Sequence, residues 1–309
     1  MRLNAPRTCL MILITVGTLM VSQVSMAETG GKEFDEIRIS VEQSSLSQEK
    51  KTSLLRRSSD AISAGVPSAD IAVIVKRGLA RGMDGRGIED FIGIAVKSKE
   101  QNLPVRPVLD RIQQGLSKGV PPEQISGSAK RLSEKLATAD KIVDGLEKSG
   151  VKVDKRSDKE NGTQAVARAL EKTIPEDMIT KMGMKVAQKR GSFTTFSASI
   201  NTITTFVEMG MPLEHASKLI NKAMDKGYSE KEMIGMERDM SYMMREGWMM
   251  DDAMKSMETM MNKGFTGDMH KGMGTGPGLG SGTGMGGSPS MPAAPGGGMH
   301  QGGPGMGRR

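Results

Sequence analysis

The chain has 309 residues, a formal net charge of +7 and an aromatic content of only 3%. Lys and Arg alternate with Asp and Glu along the predicted helix faces, which is typical of a solvated surface rather than of a nucleic-acid-binding patch. Nucleic acid is therefore excluded as a predicted partner. Because aromatic side chains are so few, aliphatic residues and the 28 methionines must supply the core.

The first 27 residues have the features of a secretory signal peptide. Arg2 and Arg7 precede an apolar run, and residues 25–27 (Ser-Met-Ala) form a small-residue cleavage site. The run is shorter than the roughly 20 residues that span a bilayer, and no later stretch is long and apolar enough, so no transmembrane segment is predicted in the mature chain. The single cysteine, Cys9, falls inside the signal peptide, so the mature protein has no disulfide. The predicted location is the periplasm or the exterior of the cell.

Residues 28–46 are predicted to be a polar leader, and residues 47–148 a first block of helical repeats. Segments in this block open with an apolar residue, end near Gly or Asn, and carry apolar side chains at three- or four-residue spacing. Their openings are 17, 20 and 17 residues apart, at Val66, Met83, Leu103 and Val120. Each helical pair exposes an apolar face that a stacked neighbour covers.

Residues 149–162 are charged and lack an apolar stripe, so they are predicted to link two blocks. Residues 163–265 form the predicted second, Met-rich block, where the same steps return at Met211, Tyr228, Trp248 and Phe265. The predicted fold class is therefore all-α, with helical-hairpin repeats whose 37-residue period divides into 17 and 20. Residues 266–309 are rich in Gly, Met and Pro and are predicted to be a disordered tail, because they cannot bury enough apolar surface.

Small residues recur at one position of the predicted repeat. Gly78 and Gly115 both lie twelve residues after an opening apolar residue, and Ala223 takes the same place in the second block. A missing or small side chain lets two helices approach closely, so we expect close helix contacts at these positions.

Methionines recur along one face of each of the last two predicted helices. The candidate partner-binding residues are Met233, Met236, Met240, Met243, Met250, Met254 and Met257. Three interpretations remain open: core packing, a flexible groove that binds apolar client segments, and coordination of Cu(I) by thioether sulfur. Met233 and Met236 fall at the repeat positions of Ile88 and Phe91, which favours core packing.

Methionine and histidine also occur together in the predicted tail, where there is no core to fill. Soft thioether and neutral imidazole ligands suit Cu(I). The candidate metal ligands are Met269, His270, Met273, Met299, His300 and Met306. The alternative is a low-complexity spacer whose methionines serve at most as oxidant sinks. No cofactor is predicted, and a bound copper ion is the alternative.

No common catalytic motif is present: the sequence lacks H-E-x-x-H, G-x-S-x-G, a phosphate loop and a dinucleotide fingerprint. A non-enzyme is therefore predicted, with no catalytic and no cofactor-binding residues. In composition and architecture the chain resembles the small periplasmic zinc-resistance and stress chaperones, which are all-helical with Met-, His- and Gly-rich ends. The L-T-x-x-Q signature of that group is absent here.

These patterns predict an exported, non-enzymatic interaction or scaffold protein of the bacterial cell envelope, with another envelope protein as its partner. Two alternatives stay open. One is a periplasmic copper-binding or copper-tolerance protein that uses Met and His. The other is a periplasmic chaperone-like binder with a Met-rich face.

Overall fold

The computed structural model describes residues 31–264, and within that range the chain is helical apart from short connecting segments. Extended backbone is paired there only at an isolated bridge between Lys152 and Ser192. The predicted all-α fold class is confirmed. No helix between residues 31 and 264 is long and apolar enough to cross a membrane. The predicted signal peptide and the predicted tail lie outside the described residues.

Twelve helices follow one another through residues 31–264. The first six, α1 to α6, are residues 31–42, Gln48–Ser63, Ser68–Ala80, Gly85–Glu100, Arg106–Ser117 and Pro122–Lys148. The other six, α7 to α12, are Arg156–Glu171, Glu176–Gln188, Phe193–Glu208, Leu213–Asp225, Glu230–Arg245 and Met250–Asn262. From α7 onward, helices of 16 and 13 residues alternate strictly, whereas α6 has 27 residues.

A residue with positive φ ends most of these helices. Glycine fills most of the positions, but Asn102, Thr173 and Arg190 adopt the same left-handed conformation. Between Gly65 and Gly119, and again between Thr173 and Gly264, successive residues with positive φ are 17 or 20 residues apart in the sequence. The spacing changes to 31 and 23 between Gly119, Gly150 and Thr173. A period that runs through the whole chain therefore stays a prediction.

The longer helices α2, α4, α6, α7, α9 and α11 pack side by side in that order, and we call them the long-helix layer. The short helices α3, α5, α8, α10 and α12 pack against this layer. Helix α6 contacts α4 and α5 on one side and α7 and α8 on the other. The two predicted blocks are thus joined by a continuous row of packed helices.

Close helix contacts occur at the glycines that the sequence analysis identified. A Cβ atom on Gly78 would lie 2.7 Å from the side chain of Ile88, and one on Gly115 would lie 2.6 Å from that of Ile125. Ala223 is fully buried. The predicted close approach is confirmed at both glycines, because larger side chains would displace a buried isoleucine.

Two segments differ from the sequence prediction. Residues 31–42, predicted to be a polar leader, form helix α1, and two side chains one turn apart, Ile37 and Val41, are buried. The predicted linker 149–162 is helical from Arg156 onward, where the Asp158 carboxylate accepts a hydrogen bond of 2.9 Å from the Lys155 amide. Helix α1 buries only Ile37 and Val41, and residues 156–161 bury none, so neither segment has a recognisable apolar pattern.

Basic side chains bridge successive short helices at equivalent positions. On α3, Arg77 donates to the Ser117 hydroxyl at 2.6 Å, and Arg81 donates to the carbonyl oxygens of Leu116 at 3.4 Å and Val120 at 3.1 Å. These groups lie at and just beyond the C-terminal end of α5. Cations placed there stabilise the negative end of a helix and satisfy its free carbonyl groups.

The same arrangement joins α8 to α10. Lys185 donates to the Asp225 carboxylate at 2.8 Å and to the Asn221 carbonyl at 3.2 Å, while Lys189 donates to the Met224 carbonyl at 2.7 Å. Hydrogen bonding from Lys185, with a smaller contribution from Lys189, lowers the pKa of Asp225 although burial opposes the shift. We call the two sets of contacts the α3–α5 clasp and the α8–α10 clasp.

Candidate binding surfaces

The structure places most of the candidate partner-binding methionines in the core. Met233, Met236, Met240, Met243 and Met257 are buried, whereas Met250 and Met254 are half-buried. Core packing therefore accounts for the burial of five of the seven. The most exposed methionine among residues 31–264 is Met249, which is 73% exposed.

The six candidate metal ligands of the predicted tail lie outside the described residues. Within residues 31–264, no group of three or more His, Cys, Asp and Glu side chains is arranged to hold a metal ion. His215, on α10, is exposed to solvent. Neither observation tests thioether ligands, so the copper hypothesis stays a prediction, both for the tail and for the methionines of α11 and α12.

Two grooves cross the long-helix layer, one in each half of the described chain. Groove 1 lies across α2, α4 and α6 and has a volume of about 750 Å³. Groove 2 lies across α7, α9 and α11 and has a volume of about 690 Å³. Each spans three neighbouring helices, so each is a long surface rather than a closed cavity.

The floor of groove 1 is built from side chains at helical spacing. Helix α6 contributes Lys130, Ser133, Glu134 and Ala137. Helix α4 contributes the buried side chains of Ile94 and Val96 together with charged residues at its rim. The groove therefore has an apolar strip between charged edges.

Charges in groove 1 are balanced, and several are satisfied within the protein. Its lining contains three cations and three carboxylates: Arg57, Lys97, Lys130, Asp90, Glu100 and Glu134. Lys130 pairs with Asp90 at 3.1 Å. The Arg57 guanidinium covers Gly93, where a Cβ atom would lie 2.8 Å from its Nη2 atom. Groove 1 is thus partly filled and has no net charge.

Groove 2 is lined by three polar stripes. On α9, the lining residues are Thr194 and the residues three, four and seven positions after it, Ser197, Ala198 and Asn201. The lining residues of α6 in groove 1 have the same offsets from Lys130. On α11, the lining residues Glu230, Ile234 and Glu237 are four and seven residues apart. Residues at these spacings share one helix face. The third stripe comes from α7 and the two residues before it: Asp154, Lys155, Asp158, Asn161, Gln164 and Arg168.

Acidic residues outnumber basic residues in groove 2. Four carboxylates and two cations give a formal net charge of −2: Asp154, Asp158, Glu230, Glu237, Lys155 and Arg168. Arg168 pairs with Glu208, which Lys172 also contacts at 3.2 Å. Burial opposes ionisation of Glu208, but hydrogen bonds from Arg168 and Lys172 together lower its pKa. The positive charge of Arg168 is therefore partly compensated by Glu208, a residue outside the groove lining that Lys172 also contacts.

Glu237, a half-buried carboxylate on α11, lines groove 2. Burial raises its pKa, while a hydrogen bond from the Thr202 hydroxyl at 2.7 Å and the charge of Arg168 act in the opposite direction. A cation that entered the groove would favour the ionised form. The electrostatics of groove 2 thus favour a positively charged ligand.

No protein family, curated protein or solved structure matches this chain. The functional inference therefore depends on the geometry and chemistry of the two grooves.

The sequence analysis missed groove 2. Its α9 stripe consists mainly of small polar residues within a Thr- and Ser-rich helix, and its α11 stripe lies beside the buried Met233, Met236 and Met240. Ile234 is 44% exposed, but a single exposed apolar side chain is common on protein surfaces and gave no usable signal.

Proposed function

We propose that this chain is an exported, non-enzymatic scaffold of the bacterial cell envelope that binds a protein partner through its long-helix layer. The observation that carries the proposal is the pair of open grooves, each of which crosses three consecutive helices of that layer. Stacked helices commonly present such extended binding surfaces. The proposed location depends on the signal-peptide features of residues 1–27.

Burial of the methionines bears on the choice between the hypotheses. A chaperone-like groove needs flexible methionine side chains at the surface, whereas five of the seven candidates lie in the core. This supports binding through the two grooves rather than through a Met-rich face. Copper binding by Met and His of the tail is compatible with a scaffold role for residues 31–264.

Site-specific photo-cross-linking in cells tests the proposal. A photoreactive residue is placed at Thr194 in groove 2, at Ser133 in groove 1, and at His215 on short helix α10. We expect a discrete cross-linked protein from at least one groove position and none from His215. Equal labelling from all three positions, or none from either groove, would contradict the proposed scaffold function.

An anaerobic Cu(I) competition titration on the mature chain distinguishes a copper-binding protein from a scaffold alone. The matched variant replaces His270 and His300 with alanine. If the protein is a scaffold alone, neither protein competes with a chromophoric Cu(I) chelator. Tight binding that weakens in the double variant would assign copper to the tail, because imidazole and thioether groups are suitable Cu(I) ligands.

A further inference from the structure

We propose that groove 2 binds an extended polypeptide segment that carries lysine or arginine side chains. The inference rests on the proposed scaffold function and adds the conformation and charge of the bound segment. Three independent features of the groove carry it: its length, its unpaired carboxamides and its excess of carboxylates.

The length of groove 2 fits a short extended peptide. The groove crosses α7, α9 and α11, which pack side by side. Neighbouring helix axes lie about 8–10 Å apart, so three helices span roughly 20 Å. An extended chain rises about 3.3 Å per residue, so roughly six residues cross the groove.

Three carboxamide side chains line the groove: Asn161 and Gln164 on α7, and Asn201 on α9. Asn161 is exposed and Gln164 and Asn201 are half-buried, and residues 31–264 provide no hydrogen-bond partner for these three amide groups, which are therefore accessible to a ligand. Each carboxamide offers a donor and an acceptor, the same pair that a peptide backbone presents. An extended backbone leaves its N–H and C=O groups available, so it satisfies these amides without any requirement on side-chain sequence.

The α11 stripe supplies selectivity for basic side chains. Glu230, Ile234 and Glu237 lie on one helix face, with the exposed isoleucine between the two carboxylates. The methylene stem of a lysine or arginine packs on apolar surface while its charged end remains near carboxylates. Arg168 offsets this attraction only in part, because it also pairs with Glu208.

Groove 1 provides an internal contrast within the same fold. It has similar volume and crosses equivalent helices, but its six charged lining residues cancel. Lys130 is paired with Asp90, and the Arg57 guanidinium lies over Gly93. Both contacts reduce the number of free charged groups and the open surface available to a ligand in groove 1. The geometry therefore assigns the basic segment to groove 2.

The test is fluorescence anisotropy with the mature chain and two eight-residue peptides, one alternating Lys and Ser and the other alternating Glu and Ser. We expect the Lys peptide to bind at least about tenfold more tightly at low ionic strength. The variant Asp154→Asn with Glu230→Gln should reduce this preference to about twofold or less. The matched control, Glu100→Gln with Glu134→Gln in groove 1, should leave it unchanged.

A second variant tests backbone recognition separately from charge. Replacing Asn161 and Asn201 with alanine should lower the affinity for the Lys peptide about fivefold. The ratio of the affinities for the Lys and Glu peptides should stay unchanged. Circular dichroism checks that each variant is folded. The inference would be overturned by equal binding of the two peptides, or by a larger loss in the groove 1 control than in the groove 2 variant.

The anisotropy and cross-linking results distinguish the two proposals. If Thr194 captures a partner in cells but the peptides bind equally, the scaffold function stands and the basic-segment inference is wrong. If the Lys peptide binds as expected but neither groove captures a partner in cells, the proposed scaffold function is wrong.

Discussion

Groove 1 and groove 2 differ in their charges far more than in their architecture. Both cross three long helices. The lining residues on α6 in groove 1 (130, 133, 134 and 137) have the same spacing as those on α9 in groove 2 (194, 197, 198 and 201). In groove 1 the charges cancel and a guanidinium covers part of the floor. In groove 2 carboxylates are in excess and carboxamides lack partners within residues 31–264. The helical framework therefore sets the shape of each groove, while a few side chains set its charge.

Reversing charge in groove 2 should produce the largest effect. The variant Asp154→Lys with Glu230→Lys changes the formal charge of the lining from −2 to +2. The Lys peptide should then bind roughly thirtyfold more weakly, because like charges repel across a short distance. Anisotropy measures the affinity, and the control is Glu100→Lys with Glu134→Lys in groove 1. A loss of the same size in that control would remove the distinction between the grooves.

Disrupting a clasp should lower stability in a position-dependent way. Replacing Lys185 and Lys189 with alanine should reduce the free energy of unfolding by about 1 kcal/mol, because both side chains contact the C-terminal end of α10. Lys222 and Lys226 occupy the equivalent positions on α10, and no hydrogen bond is found for them within residues 31–264. Their replacement by alanine should change stability by less than about 0.5 kcal/mol. Urea unfolding followed by circular dichroism measures both.

The clasp also has a predicted pH dependence. The pKa of Asp225 is lowered chiefly by its hydrogen bond from Lys185. A carboxyl group with a lowered folded-state pKa stabilises the fold above its ordinary pKa, and this contribution is lost as the pH falls through the lowered value. The stability difference between the native chain and the Lys185→Ala, Lys189→Ala variant should therefore shrink in acid. A difference that grows on acidification would contradict the assigned role of Asp225.

Transferring an acidic charge to groove 1 should create weaker binding there. In the variant Lys97→Glu with Lys130→Gln, the formal charge of the groove 1 lining changes from 0 to −3. When these substitutions are added to the charge-reversed groove 2 variant, the Lys peptide should bind about fivefold more tightly than it does to the charge-reversed variant alone. Recovery should remain partial, because groove 1 contributes one carboxamide, Gln101, whereas groove 2 contributes three. An absence of any recovery would show that charge does not determine the difference between the grooves.

Protonation of Glu237 should have the smallest effect. Burial raises the pKa of this carboxyl group, so it becomes neutral at a higher pH than an ordinary glutamate. Because only the ionised form attracts a cation, affinity for the Lys peptide should fall about twofold as the pH drops through that raised pKa. The Glu237→Gln variant should lack this step while retaining the response of the other carboxylates. An unchanged pH profile in the variant would exclude Glu237 from the binding surface.

Much of the fold could be predicted from the sequence, for identifiable physical reasons. Apolar residues at three- and four-residue spacing marked α3, where Ile71, Ile74 and Val75 are buried. Glycines at regular intervals marked helix ends, since most helices finish with a residue in the left-handed conformation. Helix α1 and the start of α7 were missed, because each buries too few apolar residues to produce a periodic pattern.

The candidate binding surface was harder to predict than the core. Methionine ladders attracted attention because they are periodic, but periodicity mainly reports burial, as Met233 and Met240 show. Groove 2 combines residues from α7, α9 and α11, and its charge balance depends on which side chains are paired elsewhere, as Arg168 is with Glu208. Such pairings between distant segments appear only once the helices are packed.

Methyl NMR of isoleucine-labelled protein tests most directly whether groove 2 is the binding surface. Ile234 lines groove 2 and Ile94 lines groove 1, so each side chain reports on one surface. On titration with the Lys peptide, the Ile234 methyl signal should shift in a saturable manner while the Ile94 signal stays in place. A saturable shift of Ile94 with Ile234 unchanged would place the ligand in groove 1 and contradict the account.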